Sequence, residues 1–534
     1  MKEKRRQKVA LWAMGWLLMA LVWIPGLAGA ADGTGNLVIF HTNDMHARVT
    51  TEDDGGRSIG LAELSAAVKS VEAKNPDTLW LDAGDTFHGM PRINISRGEN
   101  AVPLLNEAGI DAMCPGNHDF NYGEPQLEKL GRKARFPILG ANIVYKEDKK
   151  RHPFKPYKIF ELPGNIKVGV FGLTTPETVY KTGPKNVENV EFLNPVETAK
   201  EMIAELRPKC DVIIALMHMG LDASSTFTSD RIAKEAPGID LIVDGHSHTA
   251  LPEGLMEGDT LIVQTGWHEY RLGRVDIRLS GHKITSKKAC LLDAADLKRM
   301  APKPDASIEK GLAKIDKRNE KLFHTVVAHS DRSLTSNRLT LRRHESELGN
   351  LCADAFRWRT GADFAIVNGG GIRSDFPAGD VTKGDIMAIF PFGNTIQVAE
   401  IQGNVVRAML EHSVFAYPAS FGGFLDVSGM SFSFDPTEPA GSRVKDISIG
   451  GQPLDENRTY RMAGNDFTFS GGDDYEMLKG LPIVGEFGTC EEIMADYLNK
   501  VGMDGIETGR ITVLKDVPVS DEAPDGPGEY KEAA

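Results

Sequence analysis

The sequence predicts an α/β protein of two domains joined by a charged helical segment. Three observations predict it. Up to about residue 285, short apolar runs alternate with polar, helix-prone stretches. Between residues 298 and 318 the chain becomes charged, with Lys298, Arg299, Lys303, Glu309, Lys310, Lys314 and Lys317. From about Leu322 a second set of apolar runs and glycine clusters begins. The 534 residues also exceed one hydrophobic core, since domains usually run about 50–250 residues. The expected division is a leader (1–30), a first domain (31–297), a linker helix (298–321), a second domain (322–515) and an acidic tail without fixed structure (516–534).

The leader reads as a secretory signal peptide. Lys2, Lys4, Arg5, Arg6 and Lys8 precede an apolar run from Val9 to Ile24, which Pro25 breaks before Ala28-Gly29-Ala30. That run is shorter than the ~20 residues that span a bilayer. Cleavage is therefore expected, with no stable membrane anchor afterwards. No later segment looks transmembrane, and the C-terminus has no apolar tail for a lipid anchor. The expected location is extracytoplasmic, in the periplasm or the medium. Without the leader the chain carries 56 basic and 74 acidic residues, a formal charge of −18. Such a field does not gather polyanions, so nucleic acid is excluded as a bulk partner. A phosphate site must then supply its own positive charge. Cys114, Cys210, Cys290, Cys352 and Cys490 are odd in number and form no C-x-x-C, which argues against zinc knuckles and a disulfide scaffold. One or two disulfides remain compatible with an oxidising compartment.

Eight runs in the first domain suit buried strands: Leu37–Phe40, Thr78–Leu81, Ala112–Cys114, Ile138–Ala141, Val168–Leu173, Val212–Met217, Leu241–Val243 and Leu261–Gln264. Segments such as Gly60–Lys74 fit the helices between them. Polar clusters follow several of these runs, and active sites of open α/β sheets lie beyond the carboxyl ends of strands. The clusters are Asp44-Met45-His46, Gly84-Asp85, Gly116-Asn117-His118-Asp119, His218 and Gly245-His246-Ser247-His248. Each alone also fits a capped turn or a satisfied histidine. Together they place imidazoles, carboxylates and one amide on a single sheet edge. That donor set suits Zn²⁺ or Mn²⁺, and its size suits two divalent ions sharing a carboxylate. A phosphate ester repels nucleophiles through its own charge, which two such ions neutralise. His118 stands beside a candidate ligand without needing to be one, so it is placed to stabilise or protonate a departing oxygen.

The order D-x-H, G-D, G-N-H-D, H, G-H-x-H resembles the calcineurin-type metallophosphoesterase superfamily. The resemblance implies a β-sandwich flanked by helices. It implies one metal held by Asp44, His46, Asp85 and His248, and a second held by Asp85, Asn117, His218 and His246. Asp85 would bridge, and His118 would be the catalytic histidine. Two positions depart from the related 5′-nucleotidases. Those enzymes usually read G-N-H-E-F-D, where the final Asp orients the histidine, but Asn121 stands here. Asn121 can accept a hydrogen bond but brings no charge. Turnover is expected to be lower than an Asp would give, without being abolished, so Asn121→Asp should raise kcat. His248 stands where the periplasmic enzymes often have Gln, and imidazole is an equally good ligand.

In the second domain three clusters stand out: Arg342 with Glu345 and Gly349-Asn350; Asn368 to Arg373 followed by Pro391-Phe392-Gly393-Asn394; and Asp466 to Tyr475. Arginines pair with phosphate bidentately. Phe392 and Phe467 each sit beside a glycine-rich turn, and paired aromatics sandwich a flat base. Asp473 suits ribose hydroxyls. The same residues also suit a packed domain with glycine turns and core phenylalanines. The succession N-G-G-G-I-R, P-F-G-N and F-x-x-x-G-G-D is similar to the 5′-nucleotidase C-terminal domain. That likeness implies a second α/β domain that binds nucleotide, with Arg342 and Arg373 on the phosphate side. Asn368 would meet the base, Phe392 and Phe467 its two faces, and Asp473 the ribose. Asp474 replaces the glycine of the usual G-G-D-G-Y, which puts the turn and the ribose contact in question.

Both halves match the 5′-nucleotidase/UDP-sugar hydrolase family in order, over nearly the whole mature chain. The resemblance implies an active site in the cleft between the domains and hydrolysis of nucleoside 5′-monophosphates, with UDP-sugars as further substrates. A hinge is expected at 298–318. A 2′,3′-cyclic-nucleotide phosphodiesterase with 3′-nucleotidase activity uses the same motifs. A sulfur-ester hydrolase on this scaffold would not need the Phe392/Phe467 pair. A non-catalytic nucleotide-binding exoprotein would be free to lose ligands, and the full set stands here. No pattern in the sequence specifies an oligomeric state.

Overall fold

A computed structural model describes residues 34–515, apart from 52–56, 180, 183, 223–224 and 504, together with residue 517. The expected leader and nearly all of the acidic tail lie outside the described residues. The first domain is built on strands β1 (Gly35–Thr42), β2 (Thr78–Asp82), β3 (Ala112–Met113), β4 (Tyr157–Glu161), β5 (Lys167–Thr174), β6 (Val212–His218), β7 (Leu241–Val243), β8 (Leu255–Glu257), β9 (Thr260–Val263), β10 (Leu272–Ser280) and β11 (Lys283–Leu292). They form two sheets, ordered β11-β10-β1-β2-β3 and β8-β9-β7-β6-β5-β4.

The central strands of both sheets run parallel, as does the β3 edge of the first, and antiparallel strands close the other edges. Because side chains alternate along a strand, Leu37 and Ile39 point into the space between the sheets, where Val168, Val170, Ile214 and Leu216 meet them. Val38, Phe40 and Trp80 point the other way, onto helices α1 (Leu61–Glu72) and α2 (Ala101–Ala108). Helices α3 (Pro195–Leu206) and α4 (Ser229–Glu235) cover the outer face of the second sheet. The result is a β-sandwich flanked by helices. Strands buried on both faces read as continuous apolar runs.

The structure departs from the sequence reading in three places here. Residues 138–141 form only isolated bridges, Met113 to Ile138 and Leu139 to Lys155, not a sheet strand. The hairpin β10–β11 went unpredicted because its alternating, half-exposed pattern carries many charges. The charged stretch forms two helices, α5 (Ala294–Met300) and α6 (Ala306–Phe323). Pro302 and Pro304 separate them, since proline lacks an N–H and biases the preceding residue toward extended backbone; Ala301 lies at φ −141°. Leu297, Ile308 and Ile315 from these helices pack into the first domain's outer core, and Asn319 bonds Asn100 at 2.8 Å.

The second domain is also α/β. Strands β12 (Phe364–Asn368), β13 (Thr395–Gln402), β14 (Leu425–Ser428), β15 (Thr459–Asn465) and β16 (Ile483–Thr489) lie in the order β14-β12-β15-β13-β16. Helices α7 (Glu347–Thr360) and α8 (Cys490–Lys500) pack on one face through Leu351, Phe356, Ile493 and Met494. The helix Gly403–Val414 and a small sheet with Met430–Phe434 pack on the other. The apolar run Ile386–Phe390 closes a helix, Lys383–Ile389, that a capping box from Thr382 and Asp385 begins. All five cysteines are unpaired.

Candidate active site

Strand ends of both sheets converge on one cluster. Asp44 and His46 follow β1, Asp85 follows β2, Asn117 and His118 follow β3, His218 ends β6, and His246 and His248 follow β7. Five of these residues hold left-handed backbone: Asp44 (φ 51°), His46 (46°), Asp85 (56°), His246 (78°) and His248 (54°). Non-glycine residues adopt such φ rarely, and they keep it where surrounding bonds over-determine it, often at functional sites.

Asp44 donates its N–H to the Gly84 carbonyl and His46 to that of Asp85, His246 donates to the Asp44 carboxylate, and three buried carboxylates hold the surrounding backbone, that of Asp85 included. Asp119 accepts the backbone N–H groups of Asp85, Thr86, Phe87 and Gly116 at 2.8–2.9 Å. Asp244 accepts those of Met219 and Gly220. Asp82 takes the Gly84 N–H and the Thr42 and Thr86 hydroxyls. Gly116 is required by close approach, because a Cβ there would collide with the Asp85 carboxylate.

The donor spacings fit divalent ions. His46 Nε2 lies 3.3 Å from His248 Nε2, and His248 Nε2 lies 3.4 Å from Asp44 Oδ1. Two donors each about 2.1 Å from one tetrahedral ion stand roughly 3.4 Å apart. On the other side, His218 Nε2 lies 3.1 Å from Asp85 Oδ2, and His246 Nδ1 lies 2.9 Å from Asn117 Oδ1. His218 Nδ1 meets the Ala83 carbonyl at 2.7 Å, which leaves Nε2 facing the cluster. The buried Nε2 atoms of His218 and His246 make no hydrogen bond. Asp44, His46 and His248 form one group able to hold an ion, and Asp44, Asp85 and His218 another. His118 also comes within ligand reach of His46 and Asp85.

The charges tell the same story. Burial opposes charge on His218, yet Asp85 and Asp44 lift its pKa to about 10. Burial likewise opposes charge on His118, but Asp85, Glu486 and Asp466 raise it to about 9. Asp85, although buried, is held well below the usual carboxylate range by His218, His118 and His46. Burial drives the His46 pKa well down. Carboxylates balanced only by imidazolium are a site whose field a cation would relieve.

His118 has neighbours that sequence reasoning missed. Its Nε2 lies 3.2 Å from Glu486 Oε2 of β16, and Lys181 Nζ stands 3.5 Å from the same carboxylate. Asn121 donates through Nδ2 to His118 Nδ1 at 3.1 Å, while its Oδ1 accepts the Thr182 hydroxyl at 2.8 Å. The expectation that Asn121 accepts is thereby corrected, because the Thr182 hydroxyl takes the oxygen and leaves the amide nitrogen facing the ring. No motif marks Glu486 or Lys181. Only the seating of the second domain on the first brings Glu486 there.

That seating also buries Glu491, whose pKa burial and Glu492 push up to about 8. Asn94 donates to its Oε1 at 3.3 Å, and Oε2 makes no hydrogen bond. A folded-state carboxyl raised in this way costs nothing below the ordinary value of about 4.5 and progressively destabilises as pH rises to 8. Glu491→Gln is expected to stabilise the protein by a few kcal/mol at pH 8–9, since each tenfold change in proton affinity is worth about 1.4 kcal/mol. The gain should vanish at pH 4.5. Denaturant unfolding at the two pH values checks this.

The second-domain residues gather apart from the metal-type cluster. Arg342 and Arg373, with Arg338, Ser336 and Gly369, line a cavity of about 190 Å³. Arg338 had no sequence signal beyond its charge. Asn368 donates to Asp473 Oδ2 at 2.8 Å and accepts from Asn465. Phe392 is 43% exposed and carries the Arg373 guanidinium over its ring, while the Phe467 ring abuts Gly472. The two phenylalanine rings make no contact with each other. Asp474 adopts φ 61°, so the turn keeps the left-handed shape a glycine would give it; Asp tolerates this better than most residues. The cavity and the metal-type cluster share no lining residue.

Fold and cluster together define a metallophosphoesterase, a hydrolase of phosphate esters whose fold implies bound divalent metal ions. Residues 37–250 match the family described as calcineurin-like phosphoesterase, and residues 326–480 the 5′-nucleotidase C-terminal domain. Protein UshA of Yersinia enterocolitica is 31% identical over 91% of this chain and 95% of its own length. The 5′-nucleotidase of Vibrio cholerae is 30% identical over 89% and 92%. The crystal structure of the 5′-nucleotidase precursor from Thermus thermophilus is 31% identical, covers 90% of this chain and all of its own, and superposes with a TM-score of 0.54. The chain belongs to the 5′-nucleotidase family. It is a phosphoesterase of nucleotides.

Proposed function

We propose that the protein hydrolyses nucleoside 5′-monophosphates to nucleoside and phosphate outside the cytoplasm, with UDP-sugars as further substrates. The observation that carries this reading is the pairing of two separate sites. One is a buried carboxylate–imidazole cluster with ion-like donor spacings, and the other an arginine-lined cavity beside an exposed phenylalanine. Asp44, His46, Asp85 and His248 would hold one Zn or Mn ion, and Asp85, Asn117, His218 and His246 the other. Such ions neutralise phosphate charge and activate water.

The chain's own residues do the rest. Arg342 and Arg373, with Arg338 beside them, grip the phosphate side. Phe392 and Phe467 take the faces of the base, Asn368 its edge, and Asp473 the ribose. His118, through Nε2, hydrogen-bonds or protonates the departing ribose oxygen. The gripping residues do not line the metal-type cluster, so turnover requires the second domain to shift relative to the first about residues 298–318. That shift would also withdraw Glu486 from His118. Among the described residues no helix is long and apolar enough to cross a membrane. The basic–apolar leader with its A-x-A site supports export.

Phosphate release from AMP, a 3′-nucleotide, a 2′,3′-cyclic nucleotide, a UDP-sugar and an aryl phosphate, with added Mn²⁺ or Zn²⁺ and with chelator, tests the proposal. Metal-dependent release strongest from AMP is expected. Preference for the cyclic or 3′-nucleotide would replace the 5′ assignment. Release from aryl phosphate alone would overturn the role given to the second domain.

A further inference from the structure

One tryptophan stands at the rim of the metal-type cluster. Trp267 follows β9 and is 42% exposed, and its ring lies at 87° to that of His248, with centroids 4.6 Å apart. The turn that carries it is tied to the segments of both Asp44 and His248. The Gly266 N–H donates to the Thr249 carbonyl at 3.1 Å, and the His268 N–H to the Asp44 carbonyl at 2.8 Å. The Gly266 carbonyl accepts the Asn43 amide at 2.7 Å, and the His268 carbonyl accepts the Ser58 hydroxyl at 2.9 Å. The Tyr270 N–H closes the turn on the Trp267 carbonyl at 3.2 Å. Within it His268 and Glu269 hold left-handed backbone, at φ 56° and 55°. Trp267 is thus fixed by bonds on both sides, none of which involves a residue of the second domain.

His248 needs such a neighbour. A histidine ligand is usually oriented through the ring nitrogen that faces away from the ion, which meets a carboxylate, a carbonyl or water. His218 has that partner, the Ala83 carbonyl at 2.7 Å from Nδ1. His246 has Glu177 Oε2 at 3.6 Å from Nε2. His248 turns Nε2 toward His46 and Asp44, and among the described residues its Nδ1 meets no hydrogen-bond partner. Its side chain is 30% exposed, whereas that of His218 is fully buried. Ring packing holds the imidazole instead. The His46 ring lies at 81° to it with centroids 5.4 Å apart, and the Trp267 ring is closer. His46 is itself a proposed ligand, so of the two Trp267 is the contact that lies outside the ion's own ligands.

We propose that Trp267 is a positioning residue for the ion assigned to Asp44, His46, Asp85 and His248. Its indole sets the His248 imidazole by ring packing, as the Ala83 carbonyl sets His218 by a hydrogen bond. This role rests on the proposed reading of His248 as a ligand.

The test uses the full chain, purified metal-free and titrated with Mn²⁺ or Zn²⁺ against a competing chelator. Trp267→Ala is expected to weaken one of two bound ions about tenfold or more and to leave the other unchanged. Trp267→Phe, which keeps a ring, should bind both ions nearly as the wild type does. His248→Ala should weaken the same ion, and adding Trp267→Ala to it should cost nothing further, because the ring to be held is gone. The difference in tryptophan emission between the wild type and Trp267→Phe should change as ions bind. At saturating metal, Trp267→Ala should recover most of its kcat for AMP with KM unchanged. Unchanged affinity for both ions in Trp267→Ala would overturn the proposal, and so would an equal loss with and without the His248 imidazole. A raised KM with intact ion binding would set Trp267 against substrate and overturn it too. If Trp267→Ala does not fold, an emission difference that ignores ion binding overturns it. His248→Ala that binds both ions as the wild type does would sink the ligand reading itself. A wild type that binds two ions but releases no phosphate would sink only the proposed hydrolysis, since the affinities decide the role of Trp267 without turnover.

Discussion

Asp85→Asn is expected to abolish useful turnover. Among the described residues Asp85 belongs to two of the three groups able to hold an ion, and its carboxylate faces His218 at 3.1 Å while accepting the His118 N–H at 2.8 Å. An amide would offer one neutral oxygen where the proposed pair of cations would share a charged group. Losing several kcal/mol of charge stabilisation corresponds to a fall on the order of 10³-fold in kcat/KM. Bound metal, measured on the purified protein by elemental analysis, should fall from about two ions per chain to one or none. In metal-free protein the substitution should also change how stability depends on pH. In the wild type, His218 and His118 are held at about 10 and about 9 by Asp85 and its neighbours. Raised imidazole pKa values contribute stability that is present below about 6.5 and lost as pH rises through 9–10. Asp85→Asn should flatten that alkaline loss. Full metal occupancy in the variant, or wild-type turnover, would remove Asp85 from the bridging position.

His118→Ala is expected to lower kcat for AMP by roughly 10²–10⁴-fold, the usual contribution of one positioned acid or base. Metal content should remain intact, because the candidate ligands Asp44, His46, His218 and His248 keep their own contacts without it. The size of the loss should depend on the leaving group. A ribose alkoxide needs a proton or a strong hydrogen bond as it departs, whereas an acidic phenol does not. The variant should therefore lose much less on an activated aryl phosphate than on AMP. Equal losses on both substrates would mean that His118 acts on the phosphoryl group itself and not on the departing oxygen.

Much of the first domain was legible because its strands are buried on both faces. Leu37–Phe40, Val212–Met217 and Leu241–Val243 announce themselves as unbroken apolar runs, and each lies inside a strand. The hairpin of Leu272–Ser280 and Lys283–Leu292 did not, since one face meets water and its sequence alternates with charge. Ile138–Ala141 was apolar for a different reason: it packs at the edge of the sandwich and pairs through single bridges. The site residues were legible where they directly follow strands. Asp44, Asp85, Asn117, His218 and His246 sit within a few positions of a strand end, so local pattern alone places them at one edge.

By itself the sequence determined the layer architecture, the succession of two domains and the identity of the donors that meet at the strand ends. All of these follow from side-chain period and short-range spacing. Only the tertiary structure decided what faces those donors. His88 meets Glu492 across 404 positions and Asn94 meets Glu491 across 397, and Glu486 reaches His118 from a strand of the other domain. Apart from His118, in its own cluster, and Glu492, in the capping box that opens α8, none of these residues lies in a motif. Their roles arise from how one folded domain seats on another. That seating is set by complementary surfaces spread over both domains, and no stretch of neighbouring residues encodes it.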